Sequence, residues 1–193
     1  MNSMSREYWN NRYLTQSTGW DIGYPSPAIA SYLESLDNKE LEILIPGAGN
    51  GHEIVHAAKL GFTNIHLLDI AEEVCTRFKN NNPTFNKNNV HCEDFFEFSG
   101  SFDLIIEQTF FCAIDPSLRS EYVSKMHSIL KPGGKIMGLL FDCEFESGPP
   151  FGGNREDYKN LFKPFFEFEI WETCTNSIPA RAGRELVFVI KKK

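Results

Sequence analysis

Three short stretches carry the residues best suited to chemistry. The first, LEILIPGAGNG at 41–51, is an apolar run that breaks into three alternating glycines, Gly47, Gly49 and Gly51. Glycine lets a backbone turn tightly and approach a ligand with no Cβ in the way. A helix that starts there aims free N–H groups at whatever binds. The second, HLLDI at 66–70, ends in Asp69 and Ile70. An acid at the end of the next strand, roughly 20 residues on, suits a ribose with two free hydroxyls. The third is Cys92-Glu93-Asp94-Phe95, where an acid and a backbone N–H can read the edge of an adenine ring. Together they predict the seat of a nucleoside cofactor. Each also has a simpler reading: a strand–helix turn for the glycines, a helix N-cap for Asp69, a turn cap for Asp94. The glycine spacing is GxGxG, not the GxGxxG of dinucleotide sites.

Periodicity supplies the elements that must position these residues. Helices are expected at 5–15 and 27–36, around an irregular loop, TGWDIGYPSP at 18–27. Strands follow at 41–46, 64–69, 90–92 and 102–107, with helices at 51–60 and about 71–80 between them. Asp115-Pro116 reads as an N-cap followed by a first-turn proline, opening a helix that Pro132-Gly133-Gly134 stops. A fifth strand is expected at 135–141, a helix near 155–163, and a final hairpin from 166–174 and 185–191. Strands alternating with helices imply right-handed parallel crossovers in one open sheet, the α/β class. Glu107 ends the fourth strand beside the first, at the topological switch point, so it is expected to face the cofactor cleft.

Bulk properties narrow the partners. At 193 residues, 41% hydrophobic and 23% charged, the chain suits one domain (1–193) with a core of its own. A net charge of −7 gives no electrostatic support for nucleic acid or an anionic membrane. Neither a signal peptide nor a membrane-length apolar run is present in the sequence. Five cysteines, odd in number and without a CxxC pair, point to reduced thiols in the cytoplasm and away from a zinc site. His52 and His56 share a helix face but lack a third ligand nearby in sequence, so no metal is expected. Cys112 reads as a small buried apolar residue. Seventeen phenylalanines, concentrated at 95–111 and 141–168, are mainly core, with a wall around an apolar ligand as the lesser reading.

The glycine loop, Asp69, Asp94 and LKPGGKIMGLLF at 130–141 occur in the order that resembles class I S-adenosylmethionine-dependent methyltransferases. YW at 8–9, TGWDIGYPSP, FDLIIEQTFFCAIDPSLR at 102–119 and NSIPARAGRE at 176–185 extend the likeness. They are similar to the thiopurine methyltransferase superfamily, especially its thiol/halide branch, over about residues 7–190. The resemblance implies a Rossmann-like, doubly wound sheet of seven strands, ordered 3-2-1-4-5-7-6 with strand 7 antiparallel, under an N-terminal helical lid (1–36). It implies S-adenosylmethionine bound by Gly47, Gly49, Asp69, Ile70, Asp94 and Phe95, with Trp9, Trp20 and Glu107 on its methionine side and S-adenosylhomocysteine as product. A cationic sulfonium against an indole face is a favourable contact. Phe110, Phe111 and Phe141 are implied near the transferred methyl, and Arg181 is a candidate for drawing in an anionic acceptor, or a surface arginine. Two departures stand out: Glu107 replaces the family's usual aspartate, and Phe141 replaces a tyrosine of the branch. The expected enzyme is a monomer that methylates a small soft nucleophile, a thiol first, with halide, selenium or tellurium species and thiopurines behind it. No residue is expected to serve as a certain general base. The alternatives are an NAD-dependent oxidoreductase on a similar sheet and an inactive S-adenosylmethionine-binding domain.

Overall fold

A computed structural model describes residues 4–193; the first three residues of the expected lid and domain lie outside the described residues. Seven strands form one sheet in the order β3-β2-β1-β4-β5-β7-β6. These are β1 Ile43–Pro46, β2 Ile65–Leu68, β3 Val90–His91, β4 Phe102–Gln108, β5 Leu130–Phe141, β6 Phe166–Thr173 and β7 Glu185–Lys192. The first five pair in parallel, and β7 runs antiparallel to both β5 and β6. The expected order and the reversed seventh strand are therefore as observed.

All four residues of β1 are buried, as a central parallel strand covered on both faces requires. Crossover helices α3 (His52–Lys59), α4 (Glu72–Asn81) and α5 (Arg119–Ile129) return the chain between parallel strands, and α6 (Arg155–Phe162) precedes β6. Two apolar layers result. One gathers Ile43, Ile45, Leu67, Leu104 and Ile106 with α2, α3 and α4. The other gathers Leu44, Leu68, Ile105, Ile136 and Leu140 with α5, α6 and most of the buried phenylalanines. The alternation of strand residues between these layers is the period of two that a pleated strand imposes. It decides which side chains at the strand ends can reach the site.

One boundary differs from expectation. Pro132-Gly133-Gly134 does not end α5; the helix stops at Ile129, and β5 already begins at Leu130, which pairs with Phe102. Leu130 is extended (φ −86°, ψ 140°), and the residue before a proline, Lys131, is driven toward the same region by the proline ring. Helix α5 is also preceded by a short 3-10 turn, Pro116–Leu118, with Asp115 accepting from the Ser117 amide.

Ahead of the sheet lie α1 (Arg6–Leu14), capped by Ser5, and α2 (Pro27–Glu34). The segment from α1 to α2 is tied to the sheet's carboxyl end. Arg6 donates to the Ile70 carbonyl at 2.9 Å, and the Glu73 amide donates to Asn10 at 2.8 Å. The loop between the helices is held by Asp21, which accepts from the Gly23 amide, Asn50 and His52, and by Glu53, which accepts from the Ser26 amide at 3.0 Å. Burial would raise the Asp21 carboxyl, but bonds from Gly23, Asn50 and His52 outweigh it and hold it below the usual range.

Candidate active site

At the end of β1 the chain enters the glycine loop with Gly47 at φ +59° and Gly49 at φ +53°, conformations that L side chains rarely adopt. A Cβ on Gly47 would lie 2.6 Å from the Phe110 ring, and one on Gly49 would lie 2.7 Å from the Tyr13 hydroxyl. The two glycines let the Phe110 ring and the Tyr13 hydroxyl of α1 close directly on the backbone. Asp69, one residue beyond β2, holds the loop in place. Its two carboxylate oxygens accept from the Gly49 amide at 3.0 Å and the Ala71 amide at 2.9 Å. It thus ties the glycine loop to Ala71, the residue ahead of α4. Burial pushes its carboxyl up to about 6, against the downward pull of the Ala71, Gly49 and Ile70 amides.

A cavity of about 520 Å³ opens over this point, within the usual range for small-ligand sites. The structure brings most of the predicted residues to it. Gly47, Asp69, Ile70, Asp94 and Phe95 line it, as do Trp9, Trp20, Phe110, Phe141 and Arg181. Trp9 and Trp20 meet edge to face at 5.6 Å, and the Arg12 guanidinium already lies 5.0 Å from the Trp20 ring centre. Asp94 caps its own turn through the Phe96 amide at 2.9 Å and lines the cavity as well.

Three predicted residues stand elsewhere. Gly49 lines a small adjoining cavity of about 60 Å³ and not the main one. Glu107 does not face the cleft. It is fully buried, on the layer shared with α5, and its carboxylate accepts from the Phe110 and Phe111 amides and from Tyr122. Burial lifts its carboxyl to about 7, opposed by Tyr122 and the two amides. Phe111 is 1% exposed and packs among Tyr122, Tyr158 and Phe162, so it belongs to the core. Arg181 is no surface arginine: it donates to the Trp20 carbonyl at 2.8 Å and approaches Glu185 at 3.6 Å.

The residues that sequence reasoning missed are Gln108, Arg12 and Arg184. Gln108 follows Glu107, so strand alternation turns it toward the opposite layer, where it lines the small cavity with an Oε1 that is buried and unpartnered. Applying the same alternation to the end of β4 would have picked it out. No local pattern marks Arg12 or Arg184, because their roles arise from contacts with a loop and a distant strand end.

This donor set fits an adenosyl amino acid. Each Asp69 oxygen holds one amide and keeps a further lone pair for a ribose hydroxyl. The unpartnered Gln108 oxygen and the indole faces suit a polar, cationic end.

The model of the thiopurine S-methyltransferase family matches residues 4–192. The chain belongs to that family. With it goes S-adenosylmethionine-dependent methyl transfer. Among relatives, probable thiol methyltransferase 2 of Arabidopsis thaliana is 31% identical over 85% of this chain and 75% of its own. Thiocyanate methyltransferase 1 of the same plant is 28% identical over 92% and 81%. Thiopurine S-methyltransferase of Photobacterium profundum is 24% identical over 82% and 83%. The fold matches the 1,6-didemethyltoxoflavin-N1-methyltransferase of Burkholderia thailandensis, solved with S-adenosylhomocysteine, at a TM-score of 0.76 and 16% identity over 97% and 87% of the two chains. It also matches magnesium protoporphyrin IX methyltransferase of Synechocystis PCC 6803, solved with S-adenosylmethionine, at 0.75 and 12% over 97% and 95%.

Asp69 and Glu107 set a pH dependence of opposite sign to the usual carboxylate. Their folded-state affinities for protons exceed those in the unfolded chain, so their contribution is full at low pH and is lost as pH rises through about 6 and 7. Between about pH 4 and 7, unfolding free energy should therefore carry a falling component. Asp69→Asn or Glu107→Gln should flatten it by up to about 1.4 kcal/mol per pH unit. Denaturant titrations across that range check this, and an unchanged slope in both variants would contradict it.

Proposed function

We propose that this family member transfers a methyl group to a small soft nucleophile, a thiol before any other, with halide, selenium or tellurium species and thiopurines as lesser candidates. The supporting observation is the character of the cavity wall. Ile114, Leu118, Phe141, Phe145, Pro149 and Pro150 give it apolar surface, while Arg181 and Arg184, over the Phe141 and Phe145 rings, add positive charge and Asp115 a carboxylate. A dry aromatic wall suits a polarisable sulfur, and a nearby guanidinium favours a thiol in its thiolate form. The names of the plant and bacterial relatives, which specify thiol, thiocyanate and thiopurine, agree with this reading.

S-Adenosylmethionine, when bound, supplies a methyl on a sulfonium, open to in-line displacement. Asp69 would hold the ribose hydroxyls, Asp94 and the Phe95 amide the adenine, and Trp9, Trp20 and Gln108 the amino-acid end. The chain's own task is positioning and exclusion of water, which the aromatic residues along the cavity perform. Cys112 also lines the cavity, but burial pushes its thiol up to about 12, so it stays neutral and serves as wall. The oxidoreductase and inactive-domain alternatives find no support in this arrangement. A cytoplasmic monomer is proposed with it: all five cysteines are free, β3 is only two residues long, and the edge strand β6 carries exposed Glu167, Glu169 and Glu172.

Calorimetry with S-adenosylmethionine tests the cofactor seat. Asp69→Ala should weaken binding by roughly 1.5–3 kcal/mol, the worth of a charged hydrogen bond. Full affinity in that variant would reduce Asp69 to a structural cap. The two arginines should separate in acceptor kinetics. Arg184 has no side-chain hydrogen bond among the described residues and lies 4.9 Å over the Phe145 ring, whereas Arg181 is committed to Trp20 and Glu185. Arg184→Gln should raise KM for thiocyanate and carboxylated thiols roughly tenfold, equivalent to ~1.4 kcal/mol, and leave neutral thiols unaffected. Arg181→Gln should weaken cofactor and all acceptors alike by freeing the Trp20 loop. The reverse pattern would return the anion-steering role to Arg181.

A further inference from the structure

Glu107 is an acid inside the protein with no cation bonded to it among the described residues, and two of its three hydrogen-bond partners are amides of one turn. Oε1 accepts from the Phe110 amide at 2.9 Å and the Phe111 amide at 2.9 Å, while Oε2 accepts from the Tyr122 hydroxyl at 2.5 Å. Space for it is built in. Gly138 sits opposite on β5, where any Cβ would lie 2.5 Å from Glu107 Cβ and from its carbonyl oxygen. The turn it grips is unusual, since Thr109 enters at φ +58°, in the left-handed region that non-glycine residues avoid. Two consecutive amides held by one oxygen fix the course of the chain after such a residue, much as an N-cap fixes a helix start. What leaves the turn is the Phe110 ring, which lines the cavity and presses on the glycine loop at Gly47.

We infer that Glu107 is a positioning residue for methyl transfer: by holding the Phe110 and Phe111 amides from beneath, it sets the Phe110 wall against which the acceptor meets the methyl donor. Tyr122 completes the device from α5, packing its ring against Phe95, Phe110 and Phe111. The inference rests on the methyl-transfer reading above. It assigns Glu107 no contact with either substrate.

Glu107→Leu removes the acceptor while keeping an apolar side chain of similar length. It should lower kcat by about ten- to a hundredfold, the scale of a misplacement near 1 Å, while calorimetric affinity for S-adenosylhomocysteine stays within about threefold. Glu107→Gln keeps Oε1 for the two amides and should recover most of kcat. Amide hydrogen exchange gives a reading independent of turnover. The Phe110 and Phe111 amides should be protected in the wild type and the Gln variant, and freed in the Leu variant. Unchanged kcat in the Leu variant, or equal losses of kcat and cofactor affinity, would overturn the inference. Should the Leu variant not fold, Gln decides alone. Protected amides with near-normal kcat support the role, and protected amides with lost kcat refute it. A wild type that binds no S-adenosylmethionine would instead sink the functional reading on which all this rests.

Discussion

The cavity depends on a buried carboxylate that is bonded to backbone and not to a cation. Asp69 accepts one amide from the glycine loop and one from the start of α4, joining the ends of β1 and β2 through a single side chain. Placing an acid there is costly, as its raised pKa records. Two fixed amides offset part of that cost and orient the remaining lone pairs. Glu107 repeats the device on the other side of β1, at the end of β4, with the Phe110 and Phe111 amides. The β1 end is thus flanked by two buried acids, Asp69 holding amides of two separate segments and Glu107 two consecutive amides of one turn. Between them lies Gly47, with no side chain of its own, and Phe110 fills the space its Cβ would need.

This arrangement explains why the phenylalanines are so unevenly distributed. Apart from Glu107 and the Tyr122 hydroxyl, the layer beneath α5 and α6 supports the turn at 109–113 by aromatic packing. Phe95 and Phe111 meet Tyr122, Phe111 also meets Tyr158, and Phe162 links Phe111 to Phe188, in edge-to-face and tilted contacts. Such pairs add about 0.5–1.5 kcal/mol each beyond simple burial and resist rotation. Arg119 extends the support outward. Its guanidinium stacks on Phe111 and Tyr158 and donates to the Phe151 and Gly152 carbonyls, fixing the loop that brings Pro149 and Pro150 to the cavity.

What was legible in the sequence follows from range. The glycine loop, Asp69 and the parallel strands announce themselves through local spacing, and the strand order and lid follow from the family resemblance. Glu107 was misread because its charge drew attention while the pleat was ignored. At the end of one strand, neighbours face opposite layers, and the buried side went to the acid and the cavity side to Gln108. The same difference separates Phe110 from Phe111, adjacent in sequence yet one at the cavity and one in the core. The early start of β5 was hidden by KPGG, which reads as a stop for the helix but whose flanking residue already pairs with Phe102. Arg181 meets Trp20 across 161 positions, so no window of local sequence contains both, and Arg12 reaches Trp20 only because the loop after α1 folds back.

The cavity also carries charges of both signs. Asp69, Glu93 and Asp94 line it alongside Gly47 and Ile70, while Arg12, Arg181 and Arg184 line it alongside the tryptophans and the loop that joins β6 to β7. In a chain of net charge −7, three guanidiniums stand around one cavity with four carboxylates, Asp115 being the fourth. Aromatic rings lie between: Phe110 and Phe95 meet at 5.1 Å, and Arg181 faces Phe141 at 5.8 Å. Low-polarity walls keep such fields from being screened as they would be in water. A site of this kind has partners for hydroxyl-bearing and cationic groups as well as for an anion. Methyl transfer from a sulfonium to a thiolate calls for that pair of charges in one dry space, where their attraction and mutual neutralisation lower the barrier that water would impose.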